Sequence, residues 1–104
     1  MQKDNKILHI GDLKPGMNHV NIEAKIVEAS KPKEITAGGK ERRILELIIE
    51  DKTGSIKLVL WDEKSYLNFK VGDTIKISNG FVSSYRGEWR INVGKYGDAL
   101  INSR

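Results

Sequence analysis

Between Ile44 and Trp61 the chain places an apolar residue at every second position, twice, on either side of a turn sequence. Leu45, Leu47 and Ile49 alternate with Ile44, Glu46, Ile48 and Glu50. Ile56, Leu58 and Leu60 then alternate with Lys57, Val59 and Trp61. Side chains alternate faces along a strand, so each run has one uniformly apolar face. Asp51-Lys52-Thr53-Gly54 supplies turn chemistry between them. The spacing predicts an antiparallel hairpin with Glu50 opposite Ser55, Ile49 opposite Ile56, Leu47 opposite Leu58 and Leu45 opposite Leu60. A slip of one residue would set apolar against polar, so this register is strongly specified. On the other face Ile48 meets Lys57, Glu46 meets Val59 and Ile44 meets Trp61. That face combines a large ring, aliphatic groups and a cation. It suits neither solvent nor a core, but it suits a flat, anionic ligand.

A chain of 104 residues holds one domain with a modest core. The expected domain is 1–104, with its core at about 7–96 and with Met1–Lys6 and the last few residues flexible. Cysteine is absent, which excludes disulfides and thiolate metal sites, and two histidines make a histidine-rich site implausible. No metal or other cofactor is expected. No apolar run reaches the roughly 18 residues of a membrane span, and the N-terminus lacks a signal-peptide pattern. An intracellular protein follows, cytoplasmic and nucleoid-associated if its partner is DNA. Lys and Arg number 18 against 14 acids, a net +4 that permits a polyanionic partner.

The remaining segments supply further strands. Ile7–Met17 reads as a turn-rich lead-in whose apolar residues close one end of the domain. His19–Ala29 alternates as a strand, and its apolar parity shifts after Ile26, which predicts a bulge near Ile26-Val27. Ser30–Arg43 lacks periodicity and reads as a long loop with five cations, Lys31, Lys33, Lys40, Arg42 and Arg43, against Glu34 and Glu41. Lys64–Lys70 suggests a short helical turn. Thr74–Ser84 is a fourth strand with Ile75 and Ile77 inward. Asn79-Gly80 marks a bulge that would let Phe81 change face. Ser83–Glu88 reads as a short loop, Trp89–Val93 as a fifth strand, and Gly94–Arg104 trails off.

Strand, long loop, hairpin, short connector, strand, short loop, strand is the order of an all-β, five-stranded Greek-key OB-fold barrel. At most a short helical turn separates its third and fourth strands. An SH3-like barrel is the main competitor, and the long basic first loop and the late strand pair favour the OB arrangement. OB barrels bind oligonucleotides through the second and third strands and two flanking loops. Here those parts are the Arg42–Asp62 hairpin, the Ser30–Arg43 loop and the Ser83–Glu88 loop.

Several stretches resemble archaeal single-stranded DNA-binding proteins and the OB domains of archaeal replication protein A and its short human homologues. They are Ile10–Met17, Val20–Val27, Glu50–Ile56, Leu58–Glu63 and Val71-Gly72-Asp73, followed by Asn79-Gly80-Phe81, Ser84-Tyr85-Arg86-Gly87 and Asn92-Val93-Gly94. The Thr53-Gly54 to Trp61-Asp62 stretch combined with Tyr85-Arg86-Gly87 is the most specific part. The resemblance implies base stacking at Trp61, Phe81 and Tyr85, with Phe81 standing where the family often has Trp. It also implies a role in replication, repair or recombination. Stand-alone members often carry an acidic or Gly-rich tail. The chain ends at Arg104 without one, which fits either one domain of a longer protein or a member whose partner contacts lie elsewhere.

Binding single strands without sequence preference requires flat π surfaces and cations. Trp61 lies on the outer hairpin face beside Ile44, Phe81 reaches that face through the bulge, and Tyr85 has no core partner in sequence. For phosphates the candidates are Lys57, Arg86 and Arg90, then Lys33, Lys40, Arg42 and Arg43; Lys31 and Lys95 are weaker. Trp89 shares parity with Ile91 and Val93 and reads as core or a barrel plug. Tyr66, Phe69 and Tyr96 read as packing residues. Enzyme chemistry finds no support: there is no phosphate-cradling glycine loop and no nucleophile–His–acid set, and the neighbours Asp62-Glu63 would point apart on a strand. Two other readings remain open, an OB domain that assembles protein subunits in a replication-protein-A-like complex and an RNA-binding module.

Overall fold

The chain forms seven strands: β1 (Val20–Ala29), β2 (Lys33–Ala37), β3 (Lys40–Asp51), β4 (Gly54–Trp61), β5 (Thr74–Tyr85), β6 (Glu88–Val93) and β7 (Asp98–Asn102). Short 3-10 turns occupy Ile10–Asp12 and Asp62–Tyr66. These elements come from a computed structural model that describes residues 7–102. The expectations for Met1–Lys6 and for Ser103 and Arg104 lie outside the described residues.

β3 and β4 pair in the register that their alternation predicts, from Asp51 opposite Gly54 to Ile44 opposite Trp61. β4 then pairs with β6 in parallel, β6 with β5 antiparallel, and β5 with the first half of β1. The second half of β1 returns to β3, which closes a five-stranded barrel. β1 serves two neighbours because it bends at a bulge, where the register shifts between Ile26 and Glu28. The closed barrel is the OB arrangement, and β2 and β7 are additions along its sides.

The interior is filled by the inward parity of each strand. Ile22, Ile26, Leu47, Ile49, Leu58, Leu60, Ile75, Ile77, Ile91 and Val93 are all fully buried. Each such side chain contributes about 1.5–3 kcal/mol relative to exposure. The lead-in closes one end of the barrel, with Ile10 and Leu13 buried. Asp51 fastens it there: its carboxylate accepts from the Ile10 amide (2.9 Å) and, through the other oxygen, from the Thr53 amide (2.8 Å).

Five expectations need correction. The Ser30–Arg43 loop is largely a hairpin, because β2 pairs with β3 from Lys33–Ile44 to Ala37–Lys40. Its two-residue turn, Gly38-Gly39, has positive φ at both positions, which glycine adopts without strain. The Ser83–Glu88 loop shrinks to a turn at Arg86-Gly87, also at positive φ, because β5 and β6 pair out to Tyr85 and Glu88. The segment after Gly94 does not trail off but returns as β7 along β5. Trp89 keeps the inward parity yet is 48% exposed, because it lies beyond the last filled layer, at the barrel mouth. Tyr66 and Tyr96 are exposed rather than packed, whereas Phe69 does pack against the core.

Candidate nucleic-acid interface

The outer face of β4, β5 and β6 is built by one bulge and one buried amide. The β1–β5 register shifts between Ile22–Ile77 and Val20–Gly80. Asn79 absorbs the extra residue at φ 57°, a left-handed conformation that Asn tolerates better than most residues. Its amide donates to Asn21 Oδ1 at 3.0 Å. Inward parity therefore passes from Ile75 and Ile77 to Gly80 and Val82, and Phe81 turns outward, 41% exposed. The Asn79-Gly80 pair in the sequence predicts this switch.

Asn92 sits opposite Phe81 and beside Val59, with its side chain on the outer face yet buried. Its Nδ2 donates to the Phe81 carbonyl (3.2 Å) and Ser83 Oγ (3.0 Å), and its Oδ1 accepts from Trp61 Nε1 at 3.0 Å. A buried amide with all these partners fixes geometry strongly. Here it anchors the edge of the Trp61 ring and leaves the ring partly exposed. Sequence reasoning missed Asn92. The signal available was a polar residue between the inward Ile91 and Val93, on the same parity as Arg90.

A groove of about 540 Å³ runs across this face. One wall is β2, from Lys33 to Ala37, and the other is Ser83, Ser84 and Tyr85 on the β5–β6 hairpin. Ile44, Val59 and Asn92 floor it, and Trp61 and Arg90 line it. Tyr85 is 58% exposed, with the guanidinium of Arg86 5.3 Å and that of Arg90 5.4 Å from its ring centre. Of the sequence candidates, Lys33, Ile44, Trp61, Tyr85 and Arg90 line the groove. Phe81 extends the same face beyond Asn92, and Arg86 stands at the hairpin tip. Lys57 lies on the outer face opposite Arg90. Lys40 is exposed beside the Gly38-Gly39 turn. Arg43 faces away: it donates to Ser65 Oγ at 2.9 Å and lies 3.9 Å from the Tyr66 ring centre.

Most of the candidate cations are already engaged with carboxylates. Lys33 lies 3.4 Å from Glu46, Lys57 lies 3.4 Å from Glu88 and 3.9 Å from Glu46, and Arg90 donates to Glu88 at 2.9 Å. Arg42 forks onto Asp62 at 2.6 Å and lies 4.9 Å from the Trp61 ring centre. That fork holds the Asp62 carboxyl below the usual carboxylate range and raises the Arg42 guanidinium. The groove thus holds cations that are positioned in advance by acids a ligand would have to displace.

The fold and groove define an OB module of the oligonucleotide-binding architecture. The chain belongs to the family described as single-stranded DNA binding protein Ssb-like, OB fold, which it matches over residues 13–100. It is 35% identical over 85 residues to the single-stranded DNA binding protein Ssb of Saccharolobus solfataricus, covering 82% of this chain and 57% of that protein. It is 27% identical over 99 residues to Replication factor A of Methanothermobacter thermautotrophicus, covering 95% of this chain and 11% of that protein. The chain therefore spans little more than half of one curated relative and about a tenth of the other. The second OB-fold domain of replication protein A from Methanococcus maripaludis superposes with a TM-score of 0.81 at 28% identity, covering 95% of this chain and 97% of that one. Among the described residues no helix is long and apolar enough to cross a membrane.

Proposed function

We propose that this chain is a single OB module that binds single-stranded DNA with little sequence preference, in replication, repair or recombination. It acts in the cytoplasm, on the nucleoid, as a binding module rather than an enzyme. One observation carries the reading: Trp61, Phe81 and Tyr85 share one barrel face, along a groove walled by two hairpins. Bases stack on the three rings, and Ile44 and Val59 give the groove an apolar floor. Phosphates take Lys33, Lys57, Arg86 and Arg90, with Lys40 and Arg42 at the margin. Arg43 lies outside the groove and holds the 3-10 turn after Trp61 through Ser65. Family membership and the single-strand binding for which the Saccharolobus relative is named support the same ligand. Because a stacked base must be unpaired, duplex should bind far more weakly.

Fluorescence titration with labelled dT and rU oligomers and a duplex of equal length tests this reading. Tight binding of dT with weak binding of duplex is expected. Equal affinity for the duplex would refute the stacking surface. A clear preference for rU would transfer the module to RNA.

A further inference from the structure

Beyond Phe81, on the side away from the groove, a second concavity of about 220 Å³ opens between Phe81 and Tyr96. Tyr96 is 80% exposed, and no core contact explains a ring there. The floor of the cleft is glycine. A Cβ on Gly97 would fall 2.8 Å from the Asn79 carbonyl oxygen, and one on Gly94 would fall 3.8 Å from the Phe81 ring. Glycine at 97 thus lets the chain pack directly on the β5 backbone, while a side chain at 94 would occupy the space beside the Phe81 ring.

The polar wall of this cleft is fixed. Asn79 Nδ2 donates to the Tyr96 carbonyl at 2.9 Å, and a carbonyl only accepts, so the amide orientation is set. Asn79 Oδ1 therefore faces His19 Nδ1 at 2.7 Å, and Nδ1 must carry the hydrogen. The neutral ring of His19 is left with Nε2 as an acceptor. His19 and Asn79 both hold positive φ, 56° and 57°. Lys95 completes the arrangement. It lines this cleft and also the depression beside Trp61, and its Nζ lies 5.5 Å from the Tyr96 ring centre. Lys95 therefore lies between the cleft and the Trp61 ring.

We propose that the Phe81–Tyr96 cleft takes one further nucleobase at the end of the bound strand. Its phosphate contacts Lys95, and an amino or imino N–H on its edge donates to His19 Nε2. The inference rests on the single-strand reading above and adds a subsite to it. The rings supply stacking area, Gly94 leaves room beside Phe81, and the fixed imidazole supplies an edge contact.

An abasic scan tests it. One nucleotide at a time is made abasic along a dT oligomer that spans the face, and affinities are measured for wild type, Tyr96→Ala, Tyr96→Phe and Trp61→Ala. Tyr96→Ala should weaken the intact oligomer by about tenfold, within the usual worth of one stacked base. It should also abolish the abasic penalty at a single terminal position, while Tyr96→Phe behaves as wild type. Replacing that terminal base with 3-methylthymine, which stacks but lacks the imino hydrogen, should cost several-fold; no cost would remove His19 from the subsite. If Tyr96→Ala matches wild type at every position while Trp61→Ala loses binding, the subsite is wrong and the single-strand reading stands. If Trp61→Ala also binds as wild type, both fall.

Discussion

Glu88 restrains the groove, and neutralising it should tighten binding. Its carboxylate holds Arg90 at 2.9 Å and Lys57 at 3.4 Å, the two cations on adjacent outer positions of β6 and β4. An incoming phosphate must compete with it for both. Only the Glu88 side of these pairs is exposed, and ion pairs open to water on one side are worth about 0.2–1 kcal/mol each. Repulsion between a carboxylate and a phosphate at roughly 6 Å in water adds about 0.7 kcal/mol. Glu88→Gln removes the repulsion and part of the competition while keeping the side chain's shape. The net gain should be about 0.5–1.5 kcal/mol, a Kd lowered roughly two- to tenfold at low salt. If the released cations make one more phosphate contact, the log–log salt slope should steepen by about 0.7. Glu88 is half exposed but pairs with two largely covered cations, so losing both pairs should cost about 0.4–2 kcal/mol of stability, twice the worth of one pair. The assay is a dT titration at four or five salt concentrations, for wild type and variant. Unchanged or weaker binding at low salt, with an unchanged slope, would show that Lys57 and Arg90 do not meet phosphate.

Trp61→Ala should weaken dT binding by about 1–3 kcal/mol through lost stacking. It should also lower the melting temperature, because Asn92 Oδ1 loses the donor it holds at 3.0 Å; an unchanged Tm would show that the Asn92 hub is not structural. Trp89→Ala, at the half-exposed barrel mouth, should cost less stability than the roughly 3–5 kcal/mol of a fully buried Trp and leave dT affinity near wild type; lost binding in a stable protein would move the interface to the barrel mouth. Asp51→Ala should cost about 1–3 kcal/mol by cutting the tie to Ile10 and Thr53. Partial burial raises the Asp51 carboxyl, but the hydrogen bonds from Thr53 and Ile10 outweigh that and hold it below its usual value. Its contribution is therefore complete above the ordinary carboxylate range and is lost as pH falls through the lowered value. Denaturant titrations of wild type and variant should converge in acid, and a constant gap down to pH 2 would refute the assignment.

The central hairpin was legible because one face is apolar at every pair, so sequence spacing and register coincide. Phe81 was legible because Asn79-Gly80 marks the bulge that turns it outward. β2 was not, because it pairs only with β3 and carries Lys33, Glu34 and Thr36 exposed, so no apolar alternation survives. Its turn signal, Gly38-Gly39, was visible but read as a break within a loop. Trp89 shows a limit of parity: alternation gives the face of a strand but not where the filled layers end. Asn92 and the carboxylates that hold Lys33, Lys57 and Arg90 were invisible for a related reason. Their partners sit on strands distant in sequence, and a polar residue on an outward position ordinarily reads as solvated.

The way the barrel closes also governs when the groove comes into being. The β2–β3, β3–β4 and β5–β6 hairpins turn over short loops, and isolated hairpins form in about 1–10 μs. The floor of the groove, however, joins Val59 of β4 to Asn92 of β6, two strands that belong to different hairpins. Their parallel pairing, like the Val20–Gly80 pairing that closes the sheet, joins residues far apart in sequence and must meet the loop-closure entropy first. Refolding should therefore be limited by this late seam rather than by any hairpin. A nascent chain displays no assembled groove until β6 has emerged, so affinity for the ligand arrives with the final stage of folding.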